Sequence, residues 1–512
     1  MKFELWGVPM NYRTLVLVAV AMVSTIASGC TCVSVYTATK KPSLKLGTVT
    51  PLRNVLSNSA NKIRTLNVIF IHGVGDTLPG YAIGDQRCKR NASINKNAWL
   101  NPRVLKLINL RSEGKQRDTW ITAGDIDVGT STDRHQDMIH LRERTYLWTY
   151  TIRKSSGTLT LHVMLHAFEI TWAPMTCWIK NTQLKYDSAG ISPFGFLATG
   201  SVLPTCKIQP KRCSINEAPA PTPNPPPPRV LVNGMVKWQL LDRTLSDAVI
   251  YAGTYGEAIQ RGVAAALCRI AHHDIRVVEN NSGLTDKQCS WPTAKTMRNG
   301  RYIFVTHSLG GPILFDTLVG LQDTKGRHEK FPDAFTKYEV DRSAPIVDKM
   351  LKRTLGIYMM ANQLSLMGLA NIPLDAPVDQ QAPYIESSTQ GETRIGASTS
   401  TIPSHAYSLF TLLKQRAAAT APKEHGIPLN VISFNDTNDL LTWHIPAWYV
   451  EASSTKGADE LHISDVFVRN APRWLWLWEW PPSAHAGYLS SMTVWRVIWC
   501  GAKAHQILSC RN

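Results

Sequence analysis

Thr306-His307-Ser308-Leu309-Gly310-Gly311 follows the apolar run Tyr302-Ile303-Phe304-Val305 and precedes a stretch of helical character from Gly311 to Leu321. A serine hydroxyl is a weak nucleophile at its ordinary pKa and needs an adjacent base to attack a carbonyl. A sharp turn between strand and helix lifts such a hydroxyl above a sheet, and small residues two positions to either side permit that turn. Gly310 supplies the small residue after Ser308; Thr306 stands where glycine is usual, so its side chain must find room beside the turn. A second glycine-rich turn, His72-Gly73-Val74-Gly75-Asp76, follows the apolar run Leu66 to Ile71.

A base and an acid must complete a serine site, and the residues beyond Ser308 offer both. The apolar run Leu429 to Phe434 leads into Asn435-Asp436-Thr437-Asn438-Asp439-Leu440-Leu441, which offers two carboxylates. Asp436 suits the shaping of a turn, because Asp readily bonds nearby backbone. Four histidines lie beyond them. His444 is too close to Asp439 to share a proton relay with it, His462 sits in a strand pattern, and His505 lies in the tail between Cys500 and Cys510. His485 lies in Pro481-Pro482-Ser483-Ala484-His485-Ala486-Gly487-Tyr488, a predicted loop between the last strand and the last helix. His307, beside the serine, reads as an elbow neighbour whose side chain points away.

The two turns, His72-Gly73-Val74-Gly75 and Thr306-His307-Ser308-Leu309-Gly310-Gly311, resemble those of the α/β-hydrolase superfamily, and within it the chain is most similar to bacterial esterase and lipase-like proteins. The resemblance runs from about residue 64 to about 503, with 178–235 aligning poorly. It implies Ser308 as nucleophile, Asp439 as the acid in a loop where Asp precedes two apolar residues, and His485 as the base. It also implies an oxyanion hole from the backbone N–H groups of Val74 (or Gly73) and Leu309. Glycines at 73 and 75 would let the backbone approach a developing alkoxide closely. No metal or cofactor is implied. A non-catalytic binding lipoprotein on the same scaffold, or an amidase or acyltransferase with the same triad, are the alternative readings.

The elements that must position these residues alternate. Strands are predicted at Leu66–Ile71, Leu161–Trp172, Arg301–Val305, Leu355–Ala361, Leu429–Phe434 and His462–Val468, and helices at Thr244–Ala271, Gly311–Leu321, Ser408–Ala418 and Met492–Ala502. Such alternation predicts an α/β fold with a mostly parallel, doubly wound sheet. The proline-rich stretch Ala218 to Pro228 must be extended; residues 178–235 read as an insertion, irregular or cap-like, in a hydrolase domain spanning 63–512.

Lys2 and Arg13 precede the apolar stretch Leu15 to Ala27, and Ala27-Ser28-Gly29-Cys30 follows. This pattern predicts a signal peptide over 1–29. Its ending resembles a bacterial lipobox, with Ala27 where Leu is usual, so Cys30 is the expected lipidation site and 30–62 a tether. The expected location is the bacterial cell envelope, lipid-anchored and facing the periplasm. Ten cysteines fit export, with local pairs Cys206–Cys213, Cys268–Cys289 and Cys500–Cys510 suggested by proximity. A hydrophobic share of 44% against 18% charged residues argues for a folded chain rather than disorder. The net charge of +17 reads first as charge spread over the surface that aids solubility and second as an attraction to anionic partners; with no nucleic-acid-binding signature, a membrane surface is the anionic partner that remains, beside an ester or lipid substrate and no obligate protein partner. Trp474, Trp476, Trp478 and Trp480 alternate and suit either a half-buried edge or a bilayer surface.

Overall fold

A computed structural model describes residues 3–5, 8–10, 33–37, 45–46, 48–58, 63–75, 77, 79–84, 98–122, 138–154, 157–180, 237, 241, 244–272, 291–292, 297, 300–322, 337–368, 413, 429–445, 461–470 and 481–508. Its centre is a ten-stranded mixed sheet. In chain order the strands are β1 (Ser34–Thr37), β2 (Lys45–Leu46), β3 (Thr65–Ile71), β4 (Leu110–Thr122), β5 (Met138–Lys154), β6 (Gly157–Thr171), β7 (Arg301–His307), β8 (Thr354–Met360), β9 (Leu429–Asn435) and β10 (Leu461–Phe467). Their spatial order is β2-β1-β10-β9-β8-β7-β3-β6-β5-β4. The run from β10 to β6 is parallel throughout; the strands outside it pair antiparallel. The fold is therefore of α/β class.

The helices are α1 (Leu52–Asn58), α2 (Pro102–Leu107), α3 (Ala173–Ile179), α4 (Ser246–Ala252), α5 (Tyr255–His272), α6 (Gly310–Gly320), α7 (Lys337–Lys352), α8 (Leu364–Gly368), α9 (Pro481–Gly487) and α10 (Met492–Cys500). Alternate residues of the parallel strands feed two cores. Ile69, Ile71, Tyr302 and Phe304 pack with α5, α6 and α7 on one face. Val68, Phe70, Ile303 and Val305 pack with α1, α2 and α10 on the other. Because both faces are covered, the central strands are near-continuous apolar runs, and all seven residues of β8 and of β9 are buried.

The chain passes from β3 to β6 on one side and then crosses to β7 and onward through β8, β9 and β10 on the other. A crevice opens at the carboxyl ends of strands where the winding direction reverses. The turns after β3 and β7 lie at that reversal, and the loop after β9 leaves the same edge.

Several expectations are corrected. Residues read as a tether enter the fold: β1 pairs with β10 and β2 with β1, and Val33, Val35, Val49, Leu52, Val55 and Leu56 are buried. Apolar residues scattered through a polar segment made the core contribution hard to see. The helix expected from Thr244 to Ala271 is divided at Gly253, which ends α4 in extended conformation before α5 begins. The long β4–β5 ribbon was not anticipated. Along β5 the inward face switches, with Ile139 and Leu141 in one core and Tyr146 and Trp148 in the other, while Arg142 and Glu143 are buried between them. No single alternation survives that switch.

Residues 11–32, with Cys30, and residues 181–236 lie outside the described residues, as do Trp474 to Trp480 and the expected helix at 408–418 except Leu413, which is buried. Phe3–Leu5 and Val8–Met10 form an antiparallel pair. Among the described residues no helix is long and apolar enough to cross a membrane. Cys268 and Cys500 are buried and disulfide-bonded; Cys206, Cys213, Cys289 and Cys510 lie outside the described residues.

Candidate active site

Strand β7 ends at His307, and α6 begins three residues later at Gly310. Ser308 between them has φ 52°, a left-handed conformation that only a surrounding structure can hold for a non-glycine residue. Two bonds hold it. Its N–H donates to the Met360 carbonyl at the end of β8 at 2.7 Å, and its carbonyl accepts from Gly311 at 3.1 Å.

Glycine at 310 is a requirement of close approach. A Cβ there would come within 2.5 Å of the Ile71 and His72 carbonyls. Thr306, the departure from the usual elbow, is fully buried. Its Oγ1 lies where a Cβ on Gly311 would approach it to 3.4 Å.

His485 stands opposite the serine, with Nε2 3.0 Å from Ser308 Oγ. Its Nδ1 lies 2.9 and 3.0 Å from the two oxygens of Asp439. A carboxylate accepts from Nδ1–H, which leaves Nε2 unprotonated and facing the hydroxyl. The histidine belongs to helix α9 rather than to the loop expected from its prolines and small residues. Pro481 opens that helix, where a missing N–H is tolerated.

Asp439 also accepts the Leu441 N–H at 2.9 Å. Asp436 does not reach the histidine. Its Oδ1 accepts the Asn438 N–H at 3.0 Å and its Oδ2 the Asn470 N–H at 2.6 Å. Asn470 in turn donates through Nδ2 to the Ala484 carbonyl in α9 at 3.3 Å. Asp436 therefore ties the acid loop to the helix bearing His485, and burial raises its pKa.

Two supports, Tyr488 and Asp465, carry no sequence signal of their role, and a third, His307, reaches the main chain of His485 where the sequence predicts a side chain pointing away. Tyr488 is buried with its hydroxyl accepting the Asp436 N–H, and burial together with the Asp439 and Asp436 charges pushes that phenol well above its ordinary pKa. Asp465 on β10 accepts from Asn435 Nδ2 at 2.9 Å and from the Ile445 N–H at 3.2 Å, bracing both ends of the acid loop. Burial raises its pKa to about 7. His307 Nε2 donates to the His485 carbonyl at 2.9 Å. Burial lowers the His307 pKa to about 3, so the ring is neutral.

The turn after β3 presses against the elbow. A Cβ on Gly73 would fall 2.4 Å from Ser308 Cβ. His72 Nδ1 donates to the Gly73 carbonyl at 2.6 Å, while its Nε2 accepts the N–H groups of Trp172 and Ala173 at 3.0 and 3.2 Å. The ring stacks on Trp172 at 4.7 Å, and burial lowers its pKa to about 3. The Gly73 carbonyl and the Val74 N–H share one peptide plane and point in opposite directions. Fixing one fixes the other. Among the described residues, neither the Val74 nor the Leu309 N–H donates to a backbone carbonyl.

Of the remaining histidines, His444 is exposed, His462 is half-buried on β10, and His505 Nδ1 lies 3.0 Å from Ser34 Oγ. Among the described residues no group of three or more His, Cys, Asp or Glu side chains is gathered to hold a metal ion.

No protein-family model matches the chain, and neither the curated proteins nor the solved structures compared with it gave a match. A serine hydroxyl held on a strained turn, an imidazole whose tautomer is set by a carboxylate, and a neighbouring glycine turn can together remove a proton, attack a carbonyl and receive an oxyanion.

Proposed function

We propose that the protein is a serine hydrolase of the α/β-hydrolase type that cleaves carboxylic esters, esterase or lipase-like, through an acyl-enzyme. The observation that carries this reading is the continuous relay Ser308 Oγ, His485 Nε2, His485 Nδ1, Asp439. In it His485 accepts the serine proton as Ser308 attacks, and Asp439 steadies the imidazolium. His485 then returns the proton to the leaving alcohol. Water, deprotonated by the same imidazole, releases the acid.

Charge developing on the carbonyl oxygen is met by the N–H groups of Val74 and Leu309. Losing one such donor lowers kcat by about a hundred- to thousandfold. The elbow supports this role for Leu309, since it is the residue after the nucleophile at the start of α6. Export and acylation of Cys30 belong to the same proposal, with the enzyme tethered to a membrane of the bacterial envelope.

The test is labelling of the full chain with a fluorophosphonate, followed by mass spectrometry of the modified peptide and assays on esters of graded acyl length. Label on Ser308 that disappears in His485→Ala supports the reading. A folded protein that takes no label and turns over no ester rejects it, in favour of a binding protein on the same scaffold. Preference for amides over esters would retain the triad and change the substrate.

A further inference from the structure

Lys180 and Asp247 form an ion pair sealed from solvent. Lys180 Nζ lies 2.8 Å from Asp247 Oδ1, and both side chains are 0% exposed. The second oxygen, Oδ2, accepts the N–H of Gly75 at 2.6 Å. Gly75 itself is left-handed, at φ 104°, and directly follows Val74.

Resting on the hydrolase reading, we propose that Asp247, held by Lys180, is a positioning residue for the oxyanion turn. The peptide plane before Val74 is held by His72 through the Gly73 carbonyl. The plane after Val74 contains the Gly75 N–H and is held by Asp247. With both planes fixed, the Val74 residue between them has little freedom left, and its N–H direction is set before substrate arrives. Preorganised donors of this kind need no rearrangement as charge develops.

Stability alone does not account for the pair. Buried ion pairs can often be replaced by apolar residues of similar volume without loss of stability. Placement of one carboxylate oxygen on a turn N–H is what an apolar pair could not reproduce. A charged acceptor makes the shorter and stronger bond, and Lys180 supplies the counter-charge beside it.

Two double variants separate the acceptor from the charge. Lys180→Met with Asp247→Asn removes the ion pair and keeps an amide oxygen for Gly75. Lys180→Met with Asp247→Leu removes both. Each is compared with wild type by thermal melting, by kcat and KM on one ester, and by the rate of fluorophosphonate labelling.

The expected result is a fall of about tenfold in kcat for the asparagine variant, whose neutral oxygen makes the weaker bond to Gly75. For the leucine variant we expect a fall of about a hundredfold in kcat with little change in KM. Its labelling should slow in parallel, because the phosphonyl oxygen occupies the same turn. A folded leucine variant that labels and turns over like wild type overturns the inference. If wild type itself takes no label, the hydrolase reading has failed first. A leucine variant that does not fold is replaced by Lys180→Met with Asp247→Ala, judged by the same two results.

Discussion

His307 Nε2 donates to the backbone carbonyl of His485 at 2.9 Å, so the residue before the serine holds the main chain of the residue that faces it. The two rings lie 4.9 Å apart. Since burial keeps His307 neutral, it contributes a hydrogen bond rather than a charge. His307→Gln, which can offer an N–H at similar reach, should retain activity within a few-fold. His307→Phe should lower kcat about tenfold or more while KM changes little, because small misplacements of a base are amplified in rate. Equal kcat in the two variants would show that the bond does not position the base.

The two carboxylates of the acid loop should separate cleanly. Asp439→Asn should lower kcat by about ten-thousandfold, since an amide can no longer impose the productive tautomer. Asp436→Asn should leave most of the activity but reduce stability by about 1–3 kcal/mol, because a buried acceptor of two backbone N–H groups is compromised. Steady-state kinetics and thermal melts of both variants decide it. The opposite ranking in kcat would assign the acid to Asp436.

Gly73→Ala should disable the site without a large change in the sheet. The added methyl would fall 2.4 Å from Ser308 Cβ and 2.6 Å from the His307 carbonyl. Overpacking of this kind destabilises by about 1–3 kcal/mol. The moved turn or serine should also suppress fluorophosphonate labelling. A folded Gly73→Ala protein with undiminished labelling would mean that the turn after β3 has no part in the reaction.

Asp465 gives a pH dependence of stability with a defined sign. Its folded pKa is raised by burial to about 7, above an unfolded carboxylate value of about 3.9. Between those values the native state binds a proton that the unfolded chain does not. The Asp465 contribution therefore weakens as pH rises through that window and is constant above it. Relative to Asp465→Asn, wild type should lose stability by up to about 1.4 kcal/mol per pH unit between pH 4 and 7. Melting both proteins across that range checks it; parallel curves would place the Asp465 pKa near its ordinary value.

The core strands were legible because parallel strands covered on both faces must be apolar throughout. Arg301–Val305 and Leu429–Phe434 fall within strands of the sheet, and Leu355–Ala361 runs one residue past the end of β8. Ser308, Asp439 and His485 could be named from residue type and chain order, the first two in loops past a strand; that His485 sits inside helix α9 could not be read. The antiparallel ribbon was not, since β5 carries buried Arg142 and Glu143 where a simple alternation would place apolar residues. Glu169 shows why such charges are retained: its carboxylate accepts the N–H groups of Ala82 and Ile83 and faces Arg142 at 3.9 Å. Partners of this kind lie far apart in sequence. So do His307 and the carbonyl of His485, a contact that residue types alone do not announce.

Lys180 closes the stretch that includes α3, and Asp247 lies in the first turn of α4. Their 2.8 Å contact brings together the two points between which the proline-rich stretch leaves and rejoins the described fold. Chain length between two points already held together weighs only logarithmically on the cost of closing the loop. The ion pair is thus a clasp as well as a strut: two segments far apart in the chain are fastened at one point, and the turn after β3 is fastened with them.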